Sequence, residues 1–356
     1  MSRVTAALIR VRNTLAALLL AGLLAQPDPA GAVPAGWELL WSDEFEGDRL
    51  DPGKWSQETD CWGGGNRERQ CYTDRPGNAS VRDGVLTIMA RRERTRGLAL
   101  PRHLRGTAEE AGRMASKPFS SARLTTQGKA DWRYGRIAVR ARLPAGQGTW
   151  PAIWMLPAHD AFGKWAASGE IDIMEAVNLG APCKACAGGR ENHVLGTLHY
   201  GGVWPANSFK SAETQMQPSP DGMHIFEIEW SAGRIDWFVD GRLYASQTSA
   251  TWFTQASGDA PPGAPFDRPF HLIINLAIGG GLPEGRNLRG VSRAGFPKAM
   301  VVDWVRVYRC AAHPETGKAC SASAKQATHL TKGGAITDAP PRELMTTPAN
   351  TGRTGD

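Results

Sequence analysis

The chain has 356 residues, a formal net charge of +6, 21% charged and 41% hydrophobic residues. The Lys and Arg residues are scattered, with no basic run interleaved with stacking aromatics, which argues against a nucleic-acid-binding protein. Only one segment, near the N-terminus, is apolar enough to engage a membrane.

That segment opens the chain. Arg3, Arg10 and Arg12 precede the apolar run Thr14 to Ala25, and Ala30-Gly31-Ala32 offers small residues where a signal peptidase cuts. The run is about a dozen residues, short of the roughly 20 needed to span a bilayer. Residues 1–32 are therefore expected to be a cleaved signal peptide, leaving a secreted or periplasmic protein with no membrane attachment. Cleavage removes three Arg and Asp28, taking the charge from +6 to about +4.

From Trp37 to Tyr308 the pattern is one of short strands. Residues 92–118 (ERTRG, PRHLRG, AEEAGR) look like a surface insertion in a strand connection. Ile137, Val139, Ala141 and Leu143 alternate with Ala138, Arg140 and Arg142, the period-2 signature of a half-buried strand. HIFEIEW (224–230) alternates in the same way. RIDWFVD-GRLYAS (234–246) reads as two strands joined at Asp240-Gly241, a strong hairpin signal. FHLIINLAI (270–278) is nearly all apolar, as a strand covered on both faces would be, and VVDWVRVY (301–308) closes the domain. With 41 Gly and 24 Pro as punctuation, the expected fold is an all-β sandwich in one domain over 33–310. From 311 to 356, Ser, Ala, Thr, Pro and Lys dominate, which predicts a low-complexity, disordered tail.

The six Cys form three sequence-close pairs, Cys61/Cys71, Cys183/Cys186 and Cys310/Cys320. In an exported chain these read as local disulfides. A redox or zinc motif is the alternative for Cys183-Lys184-Ala185-Cys186, although it lacks a second pair and a strand-to-helix context.

The most informative segment is Ser168-Gly169-Glu170-Ile171-Asp172-Ile173-Met174-Glu175-Ala176. It is a strand candidate that carries three acids. Regular pleating puts Glu170 and Asp172 on one face and Glu175 on the other. A β-bulge near Met174 would return Glu175 to their side. Four strand steps give roughly 13 Å between the two Glu backbones, and side-chain reach reduces this to about 5–6 Å between carboxyls. That matches the separation of about 5–5.5 Å in retaining glycosidases. Mutual repulsion should raise at least one pKa, as a general acid requires. A solvent-facing acidic edge and a hard-cation site remain alternatives for the acids taken alone.

In its landmarks the chain resembles glycoside hydrolase family 16, in the branch of bacterial laminarinases (endo-β-1,3-glucanases). The landmarks are WSDEFEG (41–47), CYTDRPGNASVRDGVLTI (71–88), SARLTTQGKADWRYGRIAVRARLPAGQGTWPAIWMLP (121–157), GEIDIMEAV (169–177), GTLHYGG (196–202) and FHLIINLAIGGG (270–281). The resemblance implies a concanavalin-like β-jelly roll of two antiparallel sheets with a concave substrate cleft. It also implies a retaining mechanism without a catalytic cofactor, in which Glu170 is the nucleophile and Glu175 the acid and then base. Asp172 would tune Glu170. Asn66, Arg123, Trp150, Trp154 and His199 match substrate-binding positions, and Trp132 and Trp204 are weaker platform candidates. A structural calcium ion would take the backbone carbonyls of Glu44 and Gly84 and the carboxylate of Asp303. The 92–118 insertion and the Cys183–Gly189 loop depart from the family's usual pattern.

The implied partner is a polysaccharide, a β-1,3-glucan or a mixed β-1,3-1,4-glucan, acted on by a monomer. A curved cleft carrying Trp150 and Trp154 suits the winding chain of a β-1,3-glucan. Agar, carrageenan or a β-galactan are substrate alternatives. A carbohydrate-binding jelly roll without activity is the alternative of another class, since fold does not fix function.

Overall fold

The computed structural model describes residues 33–321, apart from 102, 103, 218, 219, 257 and 259. The expected signal peptide (1–32) and the tail beyond Ser321 lie outside the described residues.

Two antiparallel sheets carry the structure. The eight-stranded sheet runs β17 (Arg242–Thr248), β16 (Arg234–Val239), β15 (His224–Ser231), β10 (Gly135–Arg142), β19 (Lys298–Cys310), β5 (Val85–Ala90), β4 (Ala79–Arg82). β1 (Trp37–Asp43) pairs with the C-terminal half of β19. The seven-stranded sheet runs β14 (Asn207–Gln215), β13 (His193–Gly201), β12 (Glu170–Glu175), β11 (Thr149–Pro157), β18 (Phe270–Ile278), β9 (Arg123–Thr125), β2 (Ser56–Gln57). The result is the expected β-jelly roll.

Alternation explains the core. Ile137, Val139 and Ala141 of β10 are fully buried, and Ile153, Met155, Leu272, Ile274 and Leu276 meet them from the other sheet. All nine residues of β18 are buried, as its nearly continuous apolar run predicts. Truncating such a residue, Ile153→Ala for example, should cost about 2–5 kcal/mol. The Asp240-Gly241 turn joins β16 to β17 with φ of 51° and 70°, the positive pair that a two-residue hairpin of matching twist needs.

The 92–118 segment is more than a surface excursion. β6 (Thr95–Leu98) and β7 (Met114–Lys117) form a hairpin whose connection holds α1 (Ala108–Gly112), started by a Thr107/Glu110 capping box. The hairpin braces the Cys61–Cys71 loop: Cys61 N donates to Leu98 O at 2.6 Å, and Lys117 Nζ to Glu68 O at 2.5 Å. That loop continues into β3 (Gln70–Tyr72), which pairs in parallel with β8 (Phe119–Ser121).

The disulfides are Cys61–Cys71, Cys183–Cys186 and Cys310–Cys320, the nearest-neighbour set. Residues 311–321, placed by the sequence in the tail, are folded back: Cys310–Cys320 ties them down and Ala232 N donates to Thr316 O. Trp132 is a core residue, not a sugar platform. It is 6% exposed and packs edge-on to Trp41 at 5.3 Å.

Candidate active site

β12 lies between β11 and β13 and contains the expected bulge. Met174 pairs with Ile153 and Asp172 with Trp154, so Ile173 is the extra residue. Ile173 and Met174 both turn into the core, and Glu175 rejoins Glu170 and Asp172 on the outer face. From the other sheet, Trp237 Nε1 donates to Asp172 O at 2.9 Å beside the bulge. Trp237 reaches so far because β13 presents Gly196 there. A Cβ on Gly196 would stand 2.4 Å from the indole.

Each glutamate has an indole partner. Trp165 Nε1 donates to Glu170 Oε2 at 2.8 Å, and Trp150 Nε1 to Glu175 Oε1 at 3.0 Å. His199, opposite Glu170 on β13, places Nε2 3.6 Å from Glu170 Oε1 and 3.3 Å from Asp172 Oδ2. Burial raises the pKa of all three acids. Glu170 is pushed up to about 8, by burial first and then by the charge of Asp172, against the lowering effects of His199 and Trp165. Asp172 is raised well above its usual range by burial and by Glu175. Glu175 is raised by burial, opposed by His199, the Trp150 hydrogen bond and the Arg286 charge. Burial therefore favours the protonated forms within the cluster. The cluster can supply an acid, and its charged member is best held where N–H groups point at it.

Glu170, Asp172 and His199 lie close enough to hold a metal ion, with Glu175 outside that group. The indole N–H groups on Glu170 and Glu175 serve carboxylate lone pairs, and an imidazole is a poor ligand for a hard cation. This arrangement favours acid–base and nucleophilic chemistry over the cation site the acids alone left open.

The other predicted residues fall mostly on the β11 side of the acids. Trp154 Nε1 donates to Asn275 Oδ1 at 2.7 Å, and the Arg123 guanidinium lies over its ring at 4.7 Å. Arg123, 8% exposed, pairs with Glu58 at 3.2 Å. Asn66 is half-buried in the Cys61–Cys71 loop, 3.4 Å from Glu68 Oε1. Trp150 is 8% exposed and packs with Val177, Ala277 and Leu282, so its surroundings suit holding Glu175 more than stacking on sugar. Trp165 was missed in the sequence because it sits in a turn without periodicity. Its one signal was position, five residues before Glu170.

Glu44, Gly84 and Asp303 lie on the other sheet. β1 and β5 follow one another along the same edge of β19, and the registers place Glu44 and Gly84 beside residues 303–304. The Glu44 carboxylate is bidentate with Arg306, which leaves its backbone carbonyl for an ion, as the resemblance requires. Arg140 Nη1 donates to Asp303 Oδ2 at 2.5 Å. The second oxygen of the Asp303 carboxylate is the atom that a hard cation would take there, in competition with the Arg140 guanidinium.

A jelly roll bearing two indole-held glutamates on one face of a bulged strand, with an aspartate between them, defines a glycosidase of the two-carboxylate type. The chain belongs to glycosyl hydrolases family 16, which it matches over residues 75–266. It is 40% identical over 284 residues to a beta-glucanase of Rhodothermus marinus, covering 77% of this chain and 85% of that one. It is 37% identical over 292 residues to glucan endo-1,3-beta-glucosidase A1 of Niallia circulans, covering 79% of this chain but only 39% of that longer protein. The solved laminarinase of Rhodothermus marinus superposes with a TM-score of 0.60 at 38% identity, covering 77% of this chain and 97% of that one.

Proposed function

We infer that the protein hydrolyses internal linkages of β-1,3-glucan with retention of configuration. The observation that carries this reading is the bulge at Ile173, which puts Glu170 and Glu175 on one face, each with an indole donor. Glu170 attacks the anomeric carbon while Glu175 protonates the departing glycosidic oxygen, forming a glycosyl-enzyme. Glu175, now a carboxylate, takes a proton from water, which attacks the same carbon and releases Glu170. Asp172, between the two glutamates, tunes the nucleophile through its charge. The two carboxyls supply both nucleophile and proton, so no cofactor enters a step. Arg123, Asn66, Trp154 and His199 bind the sugar chain.

A reducing-sugar assay over a polysaccharide panel, with products sized, tests this. Laminarin should yield short oligosaccharides, mixed β-1,3-1,4-glucan should react more slowly, and cellulose not at all. Strong cleavage of agarose or carrageenan with laminarin untouched would overturn the substrate while leaving the chemistry standing. Binding of laminarin without any bond cleavage would favour the carbohydrate-binding alternative.

Three disulfides and the leader-like residues 1–32 support export to an oxidising compartment. Calcium bound by Glu44, Gly84 and Asp303 would be structural. Chelation should then lower the thermal midpoint by several degrees, and Asp303→Asn should abolish that response. A midpoint indifferent to both calcium and chelator would remove the ion from the proposal.

A further inference from the structure

The loop that follows β12 carries Cys183 and Cys186 and takes no part in the hydrolytic chemistry. In the sequence this pair lacks the second half of a metal site. Folding supplies that half from residues at the start of β13. The two Sγ atoms and a Glu191 carboxylate oxygen lie within 4.8 Å of one another. Cys186 Sγ stands 3.7 Å from Glu191 Oε2 and 3.9 Å from His193 Nδ1, and that nitrogen is 2.8 Å from Glu191 Oε1. Two sulfurs, a carboxylate and an imidazole are thus gathered from residues 183–193.

These spacings are close to those of a coordination shell. Zn–S bonds of about 2.3 Å and Zn–N or Zn–O bonds of about 2.0–2.1 Å, at tetrahedral angles, put neighbouring ligand atoms about 3.3–3.8 Å apart. The two sulfurs are bonded to each other as the Cys183–Cys186 disulfide, and they must part to hold an ion. The loop has other ties to keep its shape. Cys183 N donates to Gly189 O at 2.9 Å, Gly189 N to Cys186 O at 3.0 Å, and Glu191 N to Ala181 O at 2.9 Å. Gly188 and Gly189, at φ of 77° and 72°, permit the reversal between the cysteines and Glu191. Cys183 and Cys186 are half-buried, with exposed Lys184 and Ala185 between them. Cys61 and Cys71 are 2% exposed or less, so a reductant reaches the 183–186 bridge more readily than theirs.

We propose that the reduced loop is a zinc site, with Cys183, Cys186, Glu191 and His193 as its four ligands. A dithiol reductant gives the bridge two electrons and two protons and leaves as its own disulfide. Zinc then displaces both thiol protons, and the imidazole, carrying its remaining proton on Nε2, offers Nδ1. Two thiolates and the Glu191 carboxylate bring three negative charges together where Glu191 itself is buried. A divalent cation offsets charges that burial separates from water. Thiolate and imidazole ligands select zinc over the hard cations calcium and magnesium. The loop beside the catalytic strand thus has two closed forms, a disulfide and a metal chelate.

The test uses the full chain, treated with dithiothreitol and freed of it without air. Alkylation and mass spectrometry then locate the free thiols, which should include Cys183 and Cys186. Cobalt(II), as a probe, should give the absorption of a tetrahedral, thiolate-bound ion that saturates at an equimolar ratio. Zinc should displace it with a dissociation constant of about 1 μM or tighter, and should shield both cysteines from alkylation. The Cys183→Ser/Cys186→Ser double variant should lack the cobalt band. Glu191→Ala and His193→Ala should each weaken zinc about tenfold or more. A 183–186 bridge that resists the reductant in the folded protein, freed thiols without the cobalt band, or a band that survives the double variant overturns the proposal. Zinc affinity unchanged in both Glu191→Ala and His193→Ala overturns the four-ligand set. Zinc protection of Cys183 and Cys186 is read on the wild type alone, so it decides the matter whether or not every variant folds.

Discussion

Replacing Trp165 by Phe isolates what the indole N–H does for Glu170, because the aromatic ring beside His199 is kept. The N–H donates to Glu170 Oε2 at 2.8 Å. A hydrogen bond to a charged group is worth about 1.5–3 kcal/mol. Trp165 is 37% exposed, so competition from water places its worth at the low end, about 1.5 kcal/mol. One pKa unit corresponds to about 1.4 kcal/mol, which makes the expected shift about one unit. The bond favours the charged form, so it lowers the pKa of Glu170 in the wild type against burial, and its loss raises it. The nucleophile must be ionised. The acidic limb of kcat/KM should therefore move about one unit toward alkaline pH. Below that limb the variant should be about tenfold slower, with the gap narrowing above it. Profiles of kcat/KM on laminarin, wild type against variant, provide the check. A limb that stays in place while kcat/KM falls uniformly would mean Trp165 acts by contact with sugar alone, and a limb moving to lower pH would contradict the sign of the argument.

Glu170→Ala should abolish hydrolysis, and azide should restore turnover of an activated glycoside with an inverted product, whereas Glu175→Ala should spare the first step on substrates with good leaving groups. Near-normal polysaccharide cleavage by Glu170→Ala would end the assignment. Thiol titration of the native protein should find the six cysteines protected, and reduction should lower stability, since each ten-residue loop contributes about 2–3 kcal/mol by chain entropy. Burial disfavours a charge on Glu191, but hydrogen bonds from His193 and Asn287 outweigh it and hold the carboxyl down at about 2, while Glu191 raises His193 in turn. The Glu191 contribution, about 2–3 kcal/mol, is present above its unfolded pKa and lost as pH falls toward about 2. That of His193 is present below its unfolded pKa and lost as pH rises through its raised value. Thermal midpoints of Glu191→Gln should fall well below wild type near pH 6, and the gap should close in strong acid. A gap independent of pH would refute the linkage.

The sequence alone contained the strands, because alternation, apolar runs and the Asp-Gly turn are local properties of the chain. It also contained the acids and the need for a bulge, since Ile171, Ile173 and Met174 can all reach the core only if one residue is inserted there. What it could not contain was the company those acids keep. Trp165 reaches Glu170 from an aperiodic turn, His199 arrives from the next strand, and Trp237 crosses from the other sheet to the backbone of Asp172. In the sequence Trp132 and Trp150 are both candidates for sugar contact. Only packing makes the first a core residue and buries the second against Glu175. The 92–118 hairpin becomes a brace only once Lys117 meets Glu68, far away along the chain. Pattern fixes which face a residue takes, but long-range sheet order decides what stands opposite it, and that neighbourhood sets burial, hydrogen bonding and the pKa of each acid.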